Sequence, residues 1–239
     1  MTFFYTRHFI LTEMILLCTT NLTMRFKKVT LLLLVCITGF TTYAQFESSK
    51  QVYKSPNLTV EISRHKTVAI LPFQSTITFK KQPKNFDAAA NKADEQKLAT
   101  GMQEGLYTYL LRKSKDFTVS FQDVERTNAL LKQKGIFESL NELTQDSVCK
   151  ILGVDAVIKC KYLYQRTASD GGAIAKGILL GSAFSNTGAG ELIMQIYNAK
   201  DGELLWRFYK EMNENVMGST NQVMERMMRK VARNFPYEN

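Results

Sequence analysis

Val154-Asp155-Ala156-Val157-Ile158-Lys159-Cys160-Lys161-Tyr162-Leu163-Tyr164 carries the period of two that a β-strand imposes on its side chains. Ala156, Ile158, Cys160, Tyr162 and Tyr164 fall on one face, and Lys159 and Lys161 on the other. The run therefore reads as a strand with one dry and one wetter side. Just before it, Thr144 offers an N-cap for a short helix to Leu152, and Gly153 stands where a left-handed residue closes a helix. Helix, glycine and long strand in direct succession set the middle of the fold.

Downstream, Glu191 to Asn198 and Glu203 to Tyr209 repeat this strand character around Ala199-Lys200-Asp201-Gly202. That turn is rich in hairpin residues, so the two strands should pair antiparallel. Thr220 to Asn234 then places Val223, Met227, Val231 and Phe235 at four-residue steps, which predicts a closing helix packed on the sheet. Upstream, Thr67-Val68-Ala69-Ile70-Leu71-Pro72-Phe73 is an apolar run suited to a central strand buried on both faces. Pro72 ends it, because proline cannot donate to a ladder.

Residues 75–92, with Lys80, Lys81, Pro83, Lys84 and Asn85, read as a long polar loop. From Ala93 to Lys113, Leu98, Met102, Leu106, Tyr109 and Leu110 recur at helical spacing, with Gly101 and Gly105 allowing a close neighbour. Phe117 to Phe121 reads as a strand, and Asp123 caps a helix that runs through Lys134 to Gly135. Residues 45–66 show no sustained period and read as an extended lead-in. The predicted architecture over 67–239 is α/β (an α+β sandwich), a mixed β-sheet covered by helices, with a C-terminal hairpin and a closing helix.

The N-terminal 44 residues have a different character. Met24 opens Arg25, Phe26, Lys27 and Lys28, followed by an apolar run from Val29 to Phe40 and by Thr42-Tyr43-Ala44 before Gln45. A cationic start, an apolar centre and small residues at minus 3 and minus 1 are the parts of a cleavable signal peptide over 24–44, with 1–23 an upstream extension. Met1 and Met24 both remain candidate starts. The apolar run is short for a spanning helix, which needs ~20 residues, so an uncleaved anchor is the weaker reading. A lipoprotein reading would acylate Cys36, but Val35 precedes it and it lies inside the apolar run.

Export would change the composition that matters. The whole chain of 239 residues carries a formal charge of +9. Removing 1–44 takes away Arg7, Arg25, Lys27, Lys28 and Glu13, three net positive charges, and leaves +6. The remaining excess is spread along the chain as a solvated surface would be, with anionic lipid or envelope polymer as the sharper alternative. An export signal disfavours a nucleic-acid role. Cys18, Cys36 and His8 leave with the leader, so Cys149, Cys160 and His65 remain. Both cysteines have apolar neighbours and read as buried thiols, although an oxidising compartment would permit pairing.

Catalytic constellations are hard to assemble from what remains. His65, between Arg64 and Lys66, reads as a surface residue, and without a second histidine no Ser-His-acid or Cys-His arrangement can be built. Clustered metal ligands are not evident, and no cofactor motif stands out. Asp123/Glu125 and Glu138/Glu142 read as helix capping and solubility, and Trp206 with Phe208 reads as hairpin packing, as do Met224, Met227 and Met228 on the last helix. The chain is expected to be non-enzymatic.

Three segments together resemble the CsgG family of curli assembly and transport components. They are Val68 to Phe73, Leu152-Gly153-Val154-Asp155-Ala156-Val157-Ile158, and Ile193 to Trp206 through Asp201-Gly202-Glu203. LpoB-type lipoproteins, which activate penicillin-binding proteins, share this architecture. The resemblance implies an anticodon-binding-domain-like fold in the periplasm or at the outer membrane, acting by contact with envelope proteins and with copies of itself. The chain departs from the family's channel members by lacking an acylated cysteine at Gln45 and by showing one candidate insertion, at 166–190, in place of two.

Within that Gly-rich insertion Ala173, Gly177, Gly181 and Ser185 fall at four-residue intervals. On a helix they would make a smooth face for another backbone, with Ile178 on its apolar flank. These five are the candidate interaction or peripheral membrane-contact residues, against the alternative that the segment packs on its own domain. Gly172 and Gly177 have the spacing of a phosphate loop, but Ile178-Leu179 stand where lysine and a hydroxyl residue are needed.

Overall fold

The computed structural model describes residues 50–166, 188–212 and 220–238. The chain divides into Met1–Glu47 and Ser48–Asn239, and all described residues lie in the second unit. Its strands are β1 (Lys50–Lys54), β2 (Thr67–Ile70), β3 (Gln74–Phe79), β4 (Ser120–Phe121), β5 (Ala156–Arg166), β6 (Gly188–Asn198) and β7 (Leu204–Met212). The helices are α1 (Leu58–Ile62), α2 (Ala88–Arg112), α3 (Val124–Gln133), α4 (Gln145–Leu152) and α5 (Thr220–Val231). The seven strands form one mixed sheet in the order β1-β7-β6-β5-β2-β4, and β3 lies beside β5 beyond β2. The α+β sandwich expected from the pattern is the fold observed.

β5 organises the sheet. It pairs antiparallel with β6 along its whole length, Ala156 opposite Asn198 through Arg166 opposite Gly188. On its other side it pairs parallel, first with β2 (Ile70 opposite Ile158) and then with β3 (Gln74 opposite Lys161). Four residue steps on the first side match three on β5, so Leu71-Pro72-Phe73 holds one extra residue, as a bulge does. Proline is tolerated there because its missing N–H falls out of the ladder. The carbonyl of Ile70 accepts from the buried Gln103 amide of α2 at 2.9 Å, and Gln103 in turn exchanges hydrogen bonds with Asn128 of α3.

This bulge corrects one expectation. β2 ends at Ile70, ahead of Pro72, but the chain resumes pairing with β5 at Gln74, so part of the stretch read as a polar loop, 75–92, is β3. Ser75-Thr76-Ile77-Thr78-Phe79 has strand-forming, β-branched residues whose signal is masked by the following lysines and Pro83. α2 also starts earlier than expected, where Asp87 accepts from the backbone of Ala89 and Ala90 at 2.8 and 3.1 Å. The strand expected at Phe117–Phe121 shortens to Ser120–Phe121, and Phe117 instead bridges Glu238. Lys50–Lys54, inside the lead-in, pairs antiparallel with β7 and forms a sheet edge.

The period-two pattern divides β5 between two cores. Ala156, Ile158, Cys160, Tyr162 and Tyr164 join Val68, Ile70, Trp206, Phe208 and the apolar sides of α2 and α5 in the larger one. Val157 joins Ala69 of β2, Leu71 of the bulge, Leu131 of α3, and Val148, Cys149 and Leu152 of α4 on the opposite face. Met224, Met227 and Met228 are fully buried, and Trp206 stacks on Phe208 with 5.9 Å between ring centroids. Gly190 lies so close under Tyr162 that a Cβ would meet its hydroxyl oxygen at 2.6 Å. At the end of α4, Gly153 has φ +67°, the left-handed turn expected of it.

Candidate functional site

The five candidate contact residues Ala173, Gly177, Ile178, Gly181 and Ser185 lie outside the described residues. They belong to the connection between β5 and β6, whose described ends are Arg166 and Gly188. Arg166 is buried and places its guanidinium 3.5 Å from Asp94 of α2 and 5.6 Å from the ring centroid of Phe79. The β5 end of that connection is thereby fastened to the domain.

His65 is not the surface residue its flanking cations suggest. It is 7% exposed and joins a chain of hydrogen bonds. Its Nδ1 lies 2.7 Å from the Tyr237 hydroxyl and its Nε2 lies 3.3 Å from Asn198 Oδ1, while Asn198 Nδ2 donates to Glu61 Oε2 at 3.2 Å. The Glu61 carboxylate fixes the amide of Asn198 with its nitrogen outward, so Oδ1 must receive the proton of Nε2. In the neutral imidazole Nδ1 is then the acceptor for the Tyr237 hydroxyl. Burial lowers the histidine below its ordinary value, against the opposing influence of Asn198, Asp155 and Glu61.

The network ties α1, the end of β6 and the C-terminal tail to one another. Asp155 extends it, accepting from the backbone of Lys66 and Thr67 at 2.8 and 2.9 Å. Burial opposes ionisation of Asp155, but these two amides and the nearby His65 and Lys66 hold its carboxyl below the usual range. Two-residue periodicity could not reveal this cluster, because its members come from four separate segments. The one available signal was Asn198 at the strand end, a polar residue in a position that the sheet buries.

Cys149 and Cys160 are buried free thiols, as their apolar neighbours suggest. They belong to opposite faces of the sheet and cannot pair. Burial pushes the Cys149 thiol up to about 12 and raises Cys160 as well, so neither is a ready nucleophile. Among the described residues no group of three or more His, Cys, Asp or Glu side chains could hold a metal ion.

A broad surface remains. The core under α3 and α4 ends at Val157, Tyr197 and Ala199, and beyond it the same face of β5, β6, β7 and β1 runs on. Cross-strand pairing orders its side chains into rows. One holds Lys159, Gln195, Arg207 and Tyr53; the next holds Gln74, Lys161, Ile193, Tyr209 and Gln51; a third holds Thr76, Leu163, Glu191 and Glu211. Tyr53 is 48% exposed, Lys161 and Arg207 are exposed, Lys159, Ile193, Leu163, Tyr209, Glu191 and Glu211 are half-buried, and Gln195 is buried. The Tyr209 hydroxyl donates to Glu211 at 2.9 Å. This half-apolar, half-charged face is the wetter side that Lys159 and Lys161 announced in the sequence.

The fold and these two features define an α+β sandwich with a sealed histidine network and an open half-sheet. No protein-family model matches the chain, and no curated protein matches it. Its outline is similar to that of several solved structures. Lipoprotein GNA1162 from Neisseria meningitidis superposes with a TM-score of 0.46 and 12% identity, covering 70% of this chain and 96% of that one. The LpoB C-terminal domain from Salmonella enterica gives 0.34 and 13%, covering 66% and 93%. The PelC dodecamer from Paraburkholderia phytofirmans gives 0.34 and 10%, covering 80% and 97%. At these values no residue role transfers. No helix among the described residues is long and apolar enough to cross a membrane.

Proposed function

We propose that this protein is exported and works in the bacterial envelope by protein contact and not by catalysis, as an accessory or assembly component of a CsgG-like system. The observation that carries the contact reading is the open half-sheet, a wide ordered surface of mixed polarity. Ordered strands preorganise such a face, so a partner would meet little of the side-chain and loop ordering cost that weakens association. The titratable groups that chemistry would recruit are instead committed: His65 is enclosed between Tyr237 and Asn198, and both thiols are buried. The leader pattern from Met24 to Ala44 supports the compartment.

A second reading, a soluble periplasmic domain that activates an envelope enzyme, uses the same face for a different partner. Fractionation separates the two. Expression of the full chain in a Gram-negative host should yield a mature protein beginning at Gln45, recovered from the envelope. An unprocessed chain in the cytosol overturns the export reading. Recovery as a defined oligomer that partitions with membranes supports the assembly role, and a soluble monomer supports the activator role. Crosslinking from Tyr53 in the native envelope then identifies the protein that is touched.

A further inference from the structure

The connection from β3 to α2 is fastened at both ends. At its start the Lys80 N–H donates to the Arg166 carbonyl at 2.9 Å, and at its end Asp87 caps α2 through Ala89 and Ala90. Between these points Lys81, Gln82, Lys84, Asn85 and Phe86 are exposed, as is Lys80, and only Pro83 is half-buried. Phe86 is 38% exposed and meets Phe79 edge-on, with 5.7 Å between ring centroids. Phe79 in turn lies beneath the Arg166 guanidinium, 5.6 Å from its ring centroid. The ring of Phe86 is therefore displayed on a fixed support and stays outside the core.

The carboxylates next to this loop are committed to the domain. Asp87 accepts from the two α2 amides, Asp94 faces Arg166 at 3.5 Å, and Glu95 accepts from the Ile77 N–H at 2.9 Å and pairs with Lys92 at 3.8 Å. The first turn of α2 carries no acidic residue and exposes Ala88, Ala89 and Ala90 instead. Among the described residues no ion pair involves Lys80, Lys81 or Lys84. Three lysines thus stand beside a ring and three methyl groups. Lysine is a mobile point charge and is depleted at protein–protein interfaces, where arginine recognises fixed carboxylates. A fluid array of anionic headgroups suits mobile charges, and an exposed ring suits the acyl boundary just below them.

We infer that the β3–α2 loop is a peripheral contact for an anionic lipid surface, with Lys80, Lys81 and Lys84 at the headgroups and Phe86 inserted beside them. Two weak signals act together, since neither a few charges nor one ring holds a protein on a bilayer alone. Each lysine near such a surface contributes about fivefold to partitioning, so the three give on the order of a hundredfold. β5 runs from the histidine network at Ala156 to this loop at Arg166, roughly 30 Å at the usual strand rise, so changes in the loop leave that network in place. The inference deepens the envelope reading and rests on it for the membrane that is met, but vesicle binding itself requires no export.

Flotation of the protein produced from the full chain with vesicles tests it, using phosphatidylcholine alone and phosphatidylcholine mixed with phosphatidylglycerol. The wild type should prefer the charged vesicles, less so as salt is raised. K80A/K81A/K84A should lower that partitioning on the order of a hundredfold. F86S, which leaves the charge unchanged, should lower it about fivefold. K66A/K115A/K200A removes the same charge from exposed positions away from the loop and should change it by no more than about twofold, because distant charges are screened. Whatever residues 1–44 contribute is common to all these variants, and thermal unfolding checks that each keeps the fold. Partitioning that the loop variants leave unchanged, or that the distant triple variant lowers equally, overturns the proposal. Capture by soluble polyglutamate as tight as by charged vesicles, with F86S indifferent, also overturns it and favours an acidic protein or polymer. A chain that is never exported but binds vesicles through this loop keeps the surface and removes the envelope reading.

Discussion

The first three residues of β5 and the residues that follow them belong to one strand but to different environments. Ala156, Val157 and Ile158 lie between two helical layers and are fully buried on both faces. From Lys159 onward only one face is covered, and Lys159, Lys161, Leu163 and Gln165 on the other are half-buried or exposed. The difference arises from α3 and α4, which reach Val157 and Tyr197 and extend no further. Stability should therefore concentrate on the covered face and association on the open one. The strongest test of that division is Trp206→Ala. Trp206 is fully buried, stacked on Phe208 and met edge-on by Phe235, so its removal should cost about 3–5 kcal/mol in urea denaturation. A loss under ~1 kcal/mol would show that the covered face does not dominate.

The histidine network gives the next effect. H65A removes one member of a buried chain and leaves Tyr237 and Asn198 without that partner, at about 1–3 kcal/mol for each group left unsatisfied. The folded-state value of His65 is lowered, so between it and the ordinary value of about 6.5 the unfolded chain binds the extra proton. The contribution is fully present above ~6.5 and is lost as pH falls through the folded-state value. Wild-type stability should decline with acidification across that window, and H65A should lose this part of the slope. Equal slopes in parallel denaturation series would mean that His65 is not held neutral by the fold.

Secondary structure was legible where one segment sufficed to express it. The alternation of Ala156 to Tyr164, the four-residue steps from Val223 to Phe235 and the left-handed Gly153 all appear in the structure as the residues suggest. β3 was hidden because a bulge at Pro72 shifts the register and the next polar residues mimic a loop. His65 was misread because its local neighbours, Arg64 and Lys66, are exposed while its partners lie 133 and 172 residues away. The open face was half legible: Lys159 and Lys161 marked a wetter side, but the acidic row opposite them forms only when β6 and β7 are set in register. The small-residue candidates from Ala173 to Ser185 lie outside the described residues, so nothing in the fold bears on them.

A smaller effect marks the boundary between the two environments. Gly153 turns the chain from α4 into β5, and a Cβ there would meet nothing within 4 Å, so G153A tests the backbone alone. With φ at +67°, an L-residue should cost about 1–2 kcal/mol, read as a shift in denaturation midpoint with an unchanged slope. A neutral substitution would imply that the junction relaxes to a right-handed turn, and that the register of β5 against β2 does not depend on it.

The smallest stability effect should fall on the open face, where the contrast is sharpest. Ile193 pairs with Lys161 and Tyr209 in the middle row and is half-buried, whereas Ile158 on the same sheet is fully buried. I193S should cost about 1 kcal/mol in urea denaturation, less than the core changes, because folding covers most but not all of the Ile193 side chain. Large destabilisation would show that Ile193 belongs to the core of its own chain and that the two faces are less different than their exposure suggests.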